Sequence, residues 1–146
     1  MLLIAVLTCC RSLLAERKAI GELALVEESI YVPHDAILLA EYHSSRADHY
    51  AYASAYAAWF YMAPRSCEKI VAEYQEAMTD SGWTVGSVGN CDKDTWLTMV
   101  TSGAVFHMYG EPLESQLEQE WQHLREQYDD KGMLYNVIVN VAVPYD

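Results

Sequence analysis

Basic residues are scarce in this chain. Nine Lys and Arg stand against 21 Asp and Glu, so the 146 residues carry a formal net charge of −12. Proteins that bind nucleic acid attract phosphate through clustered Lys and Arg, and the chain has no run of them, so we expect no nucleic-acid partner. The same negative charge is repelled by anionic lipid headgroups. We therefore expect any membrane attachment to come from apolar insertion or acylation.

The motifs of established enzymes are missing as well. The sequence contains no Gly-x-Ser-x-Gly elbow, no phosphate-binding Gly-rich loop and no His-Glu-x-x-His helix. Its four cysteines include no Cys-x-x-Cys pair, so a cysteine-based zinc site is not predicted either. We therefore predict no catalytic residue, no cofactor and no metal.

One polar segment keeps a metal-binding or enzymatic alternative open. His43 and His49 flank residues 44–48, which we predict to be a polar loop, and Asp48 lies beside them. Imidazole and carboxylate are suitable ligands for a transition metal. Their spacing matches no established site, however, and solvated histidines are common on protein surfaces. His43, Asp48 and His49 are therefore the residues of an alternative function.

The first ten residues, MLLIAVLTCC, form an apolar run that ends at two cysteines. A membrane-spanning helix needs about 20 apolar residues, so this run is too short to span and instead has the size of a signal-peptide apolar region. Leu7-Thr8-Cys9-Cys10 resembles the lipobox of bacterial lipoproteins, which has an aliphatic residue three positions before the modified cysteine. The resemblance implies that residues 1–10 are a lipoprotein-type signal and anchor segment with Cys10 acylated; a box ending at Cys9 fits less well.

The rest of the chain predicts a single α+β domain over residues 31–146, preceded by a tether or amphipathic arm over residues 11–30. Alternation predicts strands over residues 50–61 and 135–143, and the alanine face of the first would let a helix approach closely. A core-facing stripe predicts a helix over residues 67–81, which Ser66 begins and Gly82 ends, and Ser102-Gly103 predicts a hairpin. This order indicates an antiparallel sheet of four to five strands covered on one face by two helices.

Two further sets of residues are candidates for a structural or binding role. Export would expose Cys67 and Cys91 to an oxidising compartment, where we expect them to pair; the alternative is two free thiols. A helix predicted over residues 112–130 carries an apolar seam on an otherwise acidic surface. This seam either packs on the sheet or docks on another protein, with Trp121 as the anchor flanked by Leu117 and Leu124.

These features favour a non-catalytic, lipid-anchored accessory or binding protein. Its expected location is the outer face of the cytoplasmic membrane, to which its N-terminal lipid would attach it. There it would contact a protein partner, as a peripheral subunit of a membrane complex does. The remaining alternative is a soluble cytosolic protein-interaction domain, in which the first ten residues are the apolar start of a core helix.

Overall fold

Three helices and one six-stranded sheet make up the described part of the chain. The computed structural model describes residues 2–48, 52–92, 94–111 and 115–145, with the backbone alone for residues 2–9 and 115–117. The elements follow the chain as α1 (Leu2–Glu27), β1 (Ile37–Ala47), β2 (Tyr52–Ala63), α2 (Cys67–Asp80), β3 (Thr84–Val88), β4 (Thr95–Thr101), β5 (Ala104–Tyr109), α3 (Ser115–Tyr128) and β6 (Met133–Pro144).

The sheet has the strand order β1-β2-β6-β5-β4-β3, and every neighbouring pair is antiparallel. The α+β class and the antiparallel sheet are confirmed. The expected strand number of four to five is too low, because β1 forms an edge strand that runs to Ala47. Residues 44–47 are therefore strand rather than the predicted polar loop, and Ser44 pairs with Tyr56. Polar residues are common on edge strands, because the outer side of an edge strand is exposed to solvent.

One face of the sheet carries the main core beneath α1 and α2. Alternation along β2 points its alanines to this face, where Ala53, Ala55 and Ala57 are fully buried. They meet Ala15 and Ala19 of α1 in the same apolar cluster. Small side chains on both surfaces let the helix lie close to the sheet, as the alternation predicted. The second half of α1 thus packs on the sheet as part of the folded domain.

Helix α3 packs on the opposite face of the sheet and covers only part of that face. Phe60 and Met62 of β2 and Leu134 of β6 point to this side and are buried against Trp121 and Leu124 of α3. The helices therefore lie on both faces of the sheet, not on one face as expected. The reason is that β2 and β6 carry large apolar residues on both sides at this end, and each side needs a cover.

A disulfide joins the start of α2 to the segment between β3 and β4. Cys67 and Cys91 are bonded, with 6.1 Å between their Cα atoms. Cys67 is buried, whereas Cys91 packs at the border of the main cluster. The expected pairing is therefore present, and the crosslink attaches the β3–β4 connection to the helix.

Candidate binding groove and anchor site

Helix α3 does not cover the whole of its face of the sheet. The end of this face nearest the β1–β2 connection is open. The register of the five neighbouring strands aligns one residue from each in a row across this end. From β1 to β4 the row reads Ser44, Tyr56, Asn140, Val105 and Val100. The row beside it contains Arg46 and Ser54. Side chains of alternate residues share a face, so these rows form one continuous polar and aromatic surface.

This surface is the floor of a groove of about 980 Å³. Hydroxyl, amide and imidazole groups alternate there with short apolar side chains, and among the described lining residues Arg46 is the charged one. The groove is lined by Ser44, Arg46, Ser54, Tyr56, Val100, Thr101, Gly103, Ala104, Val105, His107, Tyr109, Ile138, Asn140 and Ala142. A shallow site with many hydrogen-bonding groups is suited to binding a polar ligand or a segment of another protein.

His107 supplies the imidazole among the residues that line the groove. Thr98 Oγ1 and His107 Nδ1 are 3.0 Å apart and form a hydrogen bond, which fixes the ring on the sheet. Burial lowers the pKa of the imidazole from its ordinary value. The ring is therefore neutral at physiological pH, which suits it to hydrogen bonding rather than to pairing with an anion.

Asn136 lies where the covered and open parts of this face meet, between Phe60 and Tyr109 in the strand register. Its side chain is fully buried, and neither amide atom has a hydrogen-bond partner in the described structure. An unpaired buried amide lowers stability. Within the alternating segment 135–143, the polar residues Asn136 and Asn140 predict that one side of the strand faces water. Asn140 is exposed in the groove, whereas α3 covers Asn136.

The N-terminal cysteines lie on α1, ahead of its packed part. Cys10 is exposed and free, and the side chain of Cys9 lies outside what the structure describes. The first buried residue described in α1 is Ala15, five positions after Cys10. Within the described residues, no helix combines the length and apolar character that crossing a membrane requires.

The apolar seam of α3 packs on the sheet. Trp121 and Leu124 are 3% and 7% exposed, and the Trp121 ring lies 5.5 Å from that of Phe60. The side chain of Leu117 lies outside what the structure describes. The Tyr42 hydroxyl donates to Glu120 and so ties β1 to α3; burial and this hydrogen bond raise the pKa of Tyr42 to about 12. The described seam thus corresponds to the packing alternative, with Trp121 and Leu124 covered within the chain.

Of the residues of the metal-binding alternative, His43 lies in β1 and Asp48 directly follows the strand. His43 Nε2 lies 2.7 Å from Glu27 Oε1 at the end of α1. Asp48 follows five residues later, which is about 17 Å along an extended strand. His49 lies outside the described residues. Among the residues that the structure describes, no group of three or more His, Cys, Asp or Glu is placed to hold a metal ion.

Sequence reasoning missed most of the groove, because its residues come from five strands and become neighbours only in the sheet. The signal that was available is Asn140, a polar residue in an otherwise apolar strand. Comparison with protein-family models, curated proteins and solved structures gave no match. A proposal of function therefore rests on the groove, the N-terminal segment with Cys10, and the disulfide.

Proposed function

We propose that this chain is a non-catalytic binding protein that is acylated at Cys10 and held on the outer face of the cytoplasmic membrane. Its open groove is the surface offered to a partner, as an accessory subunit of a membrane complex requires. Three features support the proposal: the position of Cys10, the disulfide, and the chemistry of the groove.

The observation that carries the proposal is the position of Cys10 on α1. Every residue described as buried lies at or beyond Ala15. A chain that begins at Cys10 therefore keeps the whole described core, including the contact of Ala15 and Ala19 with the sheet. A lipid on Cys10 would stand at the exposed start of a helix that is rigidly packed a turn later, which places the domain next to the membrane.

The disulfide supports export. Bonds between cysteines persist in oxidising compartments and are rare where thiols are kept reduced. Cys67 and Cys91 are paired, whereas Cys10 is free and exposed. This distribution is the one expected if Cys67 and Cys91 stabilise the fold and the exposed Cys10 is accessible for acylation.

The groove supports a binding role. Its polar groups lie on the strands of a continuous sheet, so they are held in fixed positions without a ligand. The side chains of Ser44, Tyr56 and Asn140 are able to donate and accept hydrogen bonds, and Ile138 and Val105 offer apolar surface between them. Such a mixture of polar and apolar groups is typical of non-obligate protein–protein interfaces.

Metabolic labelling with a palmitate analogue tests the anchor. Cells that produce the full chain, the Cys10→Ser variant or the Cys9→Ser variant are labelled and separated into membrane and soluble fractions. We expect label and membrane association for the full chain and for Cys9→Ser, and loss of both for Cys10→Ser. Equal labelling of all three proteins, or none in any of them, would refute acylation at Cys10.

Site-specific photo-crosslinking in the same membranes tests the groove. A photoreactive amino acid replaces Asn140 in the groove or Val88, which is 53% exposed on β3 at the far edge of the sheet. The proposal predicts a discrete crosslinked product from position 140 and none from position 88. Crosslinking of equal efficiency from both positions would show that the groove is not a specific contact surface.

A further inference from the structure

The nine basic residues are unevenly distributed along the chain. Arg11, Arg17 and Lys18 lie within eight residues of one another, and Glu16 is the acidic residue among them. Glu16 Oε1 accepts a hydrogen bond of 2.6 Å from Ser45 Oγ, so it is directed toward the sheet. The three basic residues are exposed. A protein of net charge −12 thus has a locally basic surface on the first part of α1.

Exposed leucines lie between these basic residues. Leu13 and Leu14 are 54% and 66% exposed, although they belong to a helix whose buried side is formed by Ala15 and Ala19. Helical spacing brings Leu14 next to Lys18, since residues four positions apart are neighbours on the surface. Exposed leucines can enter a lipid interface while the long Lys and Arg side chains beside them reach the headgroups.

The two ends of α1 differ in charge. Its second half carries Glu22 and Glu27 and is followed by Glu28, with no basic residue after Lys18. Arg11 and Glu27 are about 24 Å apart along the helix axis. Salt screens exposed charges beyond about 8 Å at physiological ionic strength, so Glu27 and Glu28 do not cancel the charge of Arg11. Glu22 lies one turn after Lys18 and lowers the net positive charge at that side of the basic surface.

We propose that residues 10–18 dock on an anionic lipid surface, with Leu13 and Leu14 in the interface and Arg11, Arg17 and Lys18 at the headgroups. The inference rests on the proposed function, because the acylated Cys10 would bring this surface to the membrane. A lipid chain and a basic, apolar helix end together hold a protein more firmly than either does alone. The geometry also sets the orientation, since the acidic end of α1 is directed away from the headgroups.

The test is the ratio of binding to two kinds of vesicle. The full chain is sedimented with vesicles of phosphatidylcholine alone, and with vesicles of phosphatidylcholine and phosphatidylglycerol in equal parts. Apolar insertion contributes to binding to both vesicles, whether it comes from the apolar segment of an unprocessed chain or from a lipid on Cys10, so the ratio isolates the charged contribution. We expect a ratio above unity for the full chain, which falls at least about tenfold for Arg11→Gln/Arg17→Gln/Lys18→Gln, because each basic residue near an anionic surface contributes roughly fivefold.

A matched control removes the same charge elsewhere. The control residues Lys69, Arg125 and Lys131 lie outside α1. Lys69 and Lys131 line a depression beside Met133, at the start of β6. The basic surface borders Pro144 at the other end of that strand, about 36 Å away. The control triple Gln variant should keep the ratio of the full chain. An equal fall in both triple variants, or a ratio of unity or less for the full chain, overturns the proposal.

A second pair of variants separates apolar insertion from charge. Leu13→Ser/Leu14→Ser should weaken binding to both vesicles relative to Leu25→Ser, which changes a leucine that is 64% exposed at the acidic end of the helix. Equal binding by the two variants would show that the leucines do not enter the interface. These results are independent of acylation, which is read from the mass of the N-terminal peptide, so failure of the docking surface and failure of the lipid anchor are distinguishable.

Discussion

Removal of the disulfide should cost much of the stability of this domain. The bond joins residues 24 positions apart in the sequence. In the chain-entropy description, closing a loop of this length lowers the entropy of the unfolded chain by about 12 cal/mol/K, which is about 3.4 kcal/mol at room temperature. Natural domains are stable by only about 5–15 kcal/mol, so this is a large share.

Urea unfolding followed by tryptophan fluorescence measures the effect. The Cys67→Ala/Cys91→Ala variant and the reduced wild-type protein should both lose about 3 kcal/mol of unfolding free energy. The reduced protein keeps the sulfur atoms in the core, so it separates the crosslink from the packing of Cys67. The exposed Cys10, changed to Ser, is the control and should alter stability by less than about 0.5 kcal/mol.

The result that would refute this reasoning is a loss of less than about 1 kcal/mol in both the variant and the reduced protein, since the predicted entropic gain is about three times larger. That outcome would mean that the β3–β4 connection is held near α2 equally well without the bond, and it would remove the disulfide as support for an oxidising location.

Three further predictions concern packing and protonation. Gly132→Ala should lower the free energy of unfolding by about 2 kcal/mol, because an added Cβ would lie 2.5 Å from the carbonyl oxygen of Ala63. Gly21→Ala in α1 places a Cβ that meets nothing within 4 Å, so it should raise the free energy of unfolding by about 0.5–1 kcal/mol. Similar urea midpoints for the two variants would contradict this. Asn136→Leu should raise the unfolding free energy by about 1–2 kcal/mol, because it removes two unpaired buried polar atoms, and a fall would show that the amide has a partner. Burial lowers the pKa of His107 below its unfolded value of 6.5. The neutral ring therefore makes its full contribution to the free energy of unfolding above pH 6.5, and this contribution decreases as the pH falls from 6.5 through the lower pKa of the folded state. Wild-type protein should therefore lose more stability than His107→Gln between about pH 7.5 and 5.5, and parallel losses would contradict the shift.

The elements with a strong local pattern could be predicted from the sequence. Helix α2 ends at Asp80, and Gly82 follows with a φ of 93°. The β4–β5 hairpin turns at Gly103 with a φ of 80°, and glycine adopts both conformations without strain. The alternating strand β6 and the alanine face of β2 were also predicted. In each of these cases the decisive information lies within a dozen neighbouring residues.

Features that depend on distant residues could not be predicted. Ser44 and Arg46 are polar and read as a loop, yet hydrogen bonding to β2 keeps them in an edge strand. The acidic α3 shows an apolar seam, but the sequence does not say which surface the seam covers; packing against Phe60 decides it. Likewise Asn136 reads as solvated, because its burial depends on packing between separate elements and not on the alternation within β6.

The measurement that tests the central claim most directly is the intact mass of the protein purified from its own membranes, with fragmentation of its N-terminal peptide. The account predicts a chain that begins at Cys10 and carries diacylglycerol on that residue, with Cys67 and Cys91 joined. An unmodified chain that begins at Met1, with both of these cysteines reduced, would contradict the lipid anchor and favour a soluble interaction domain.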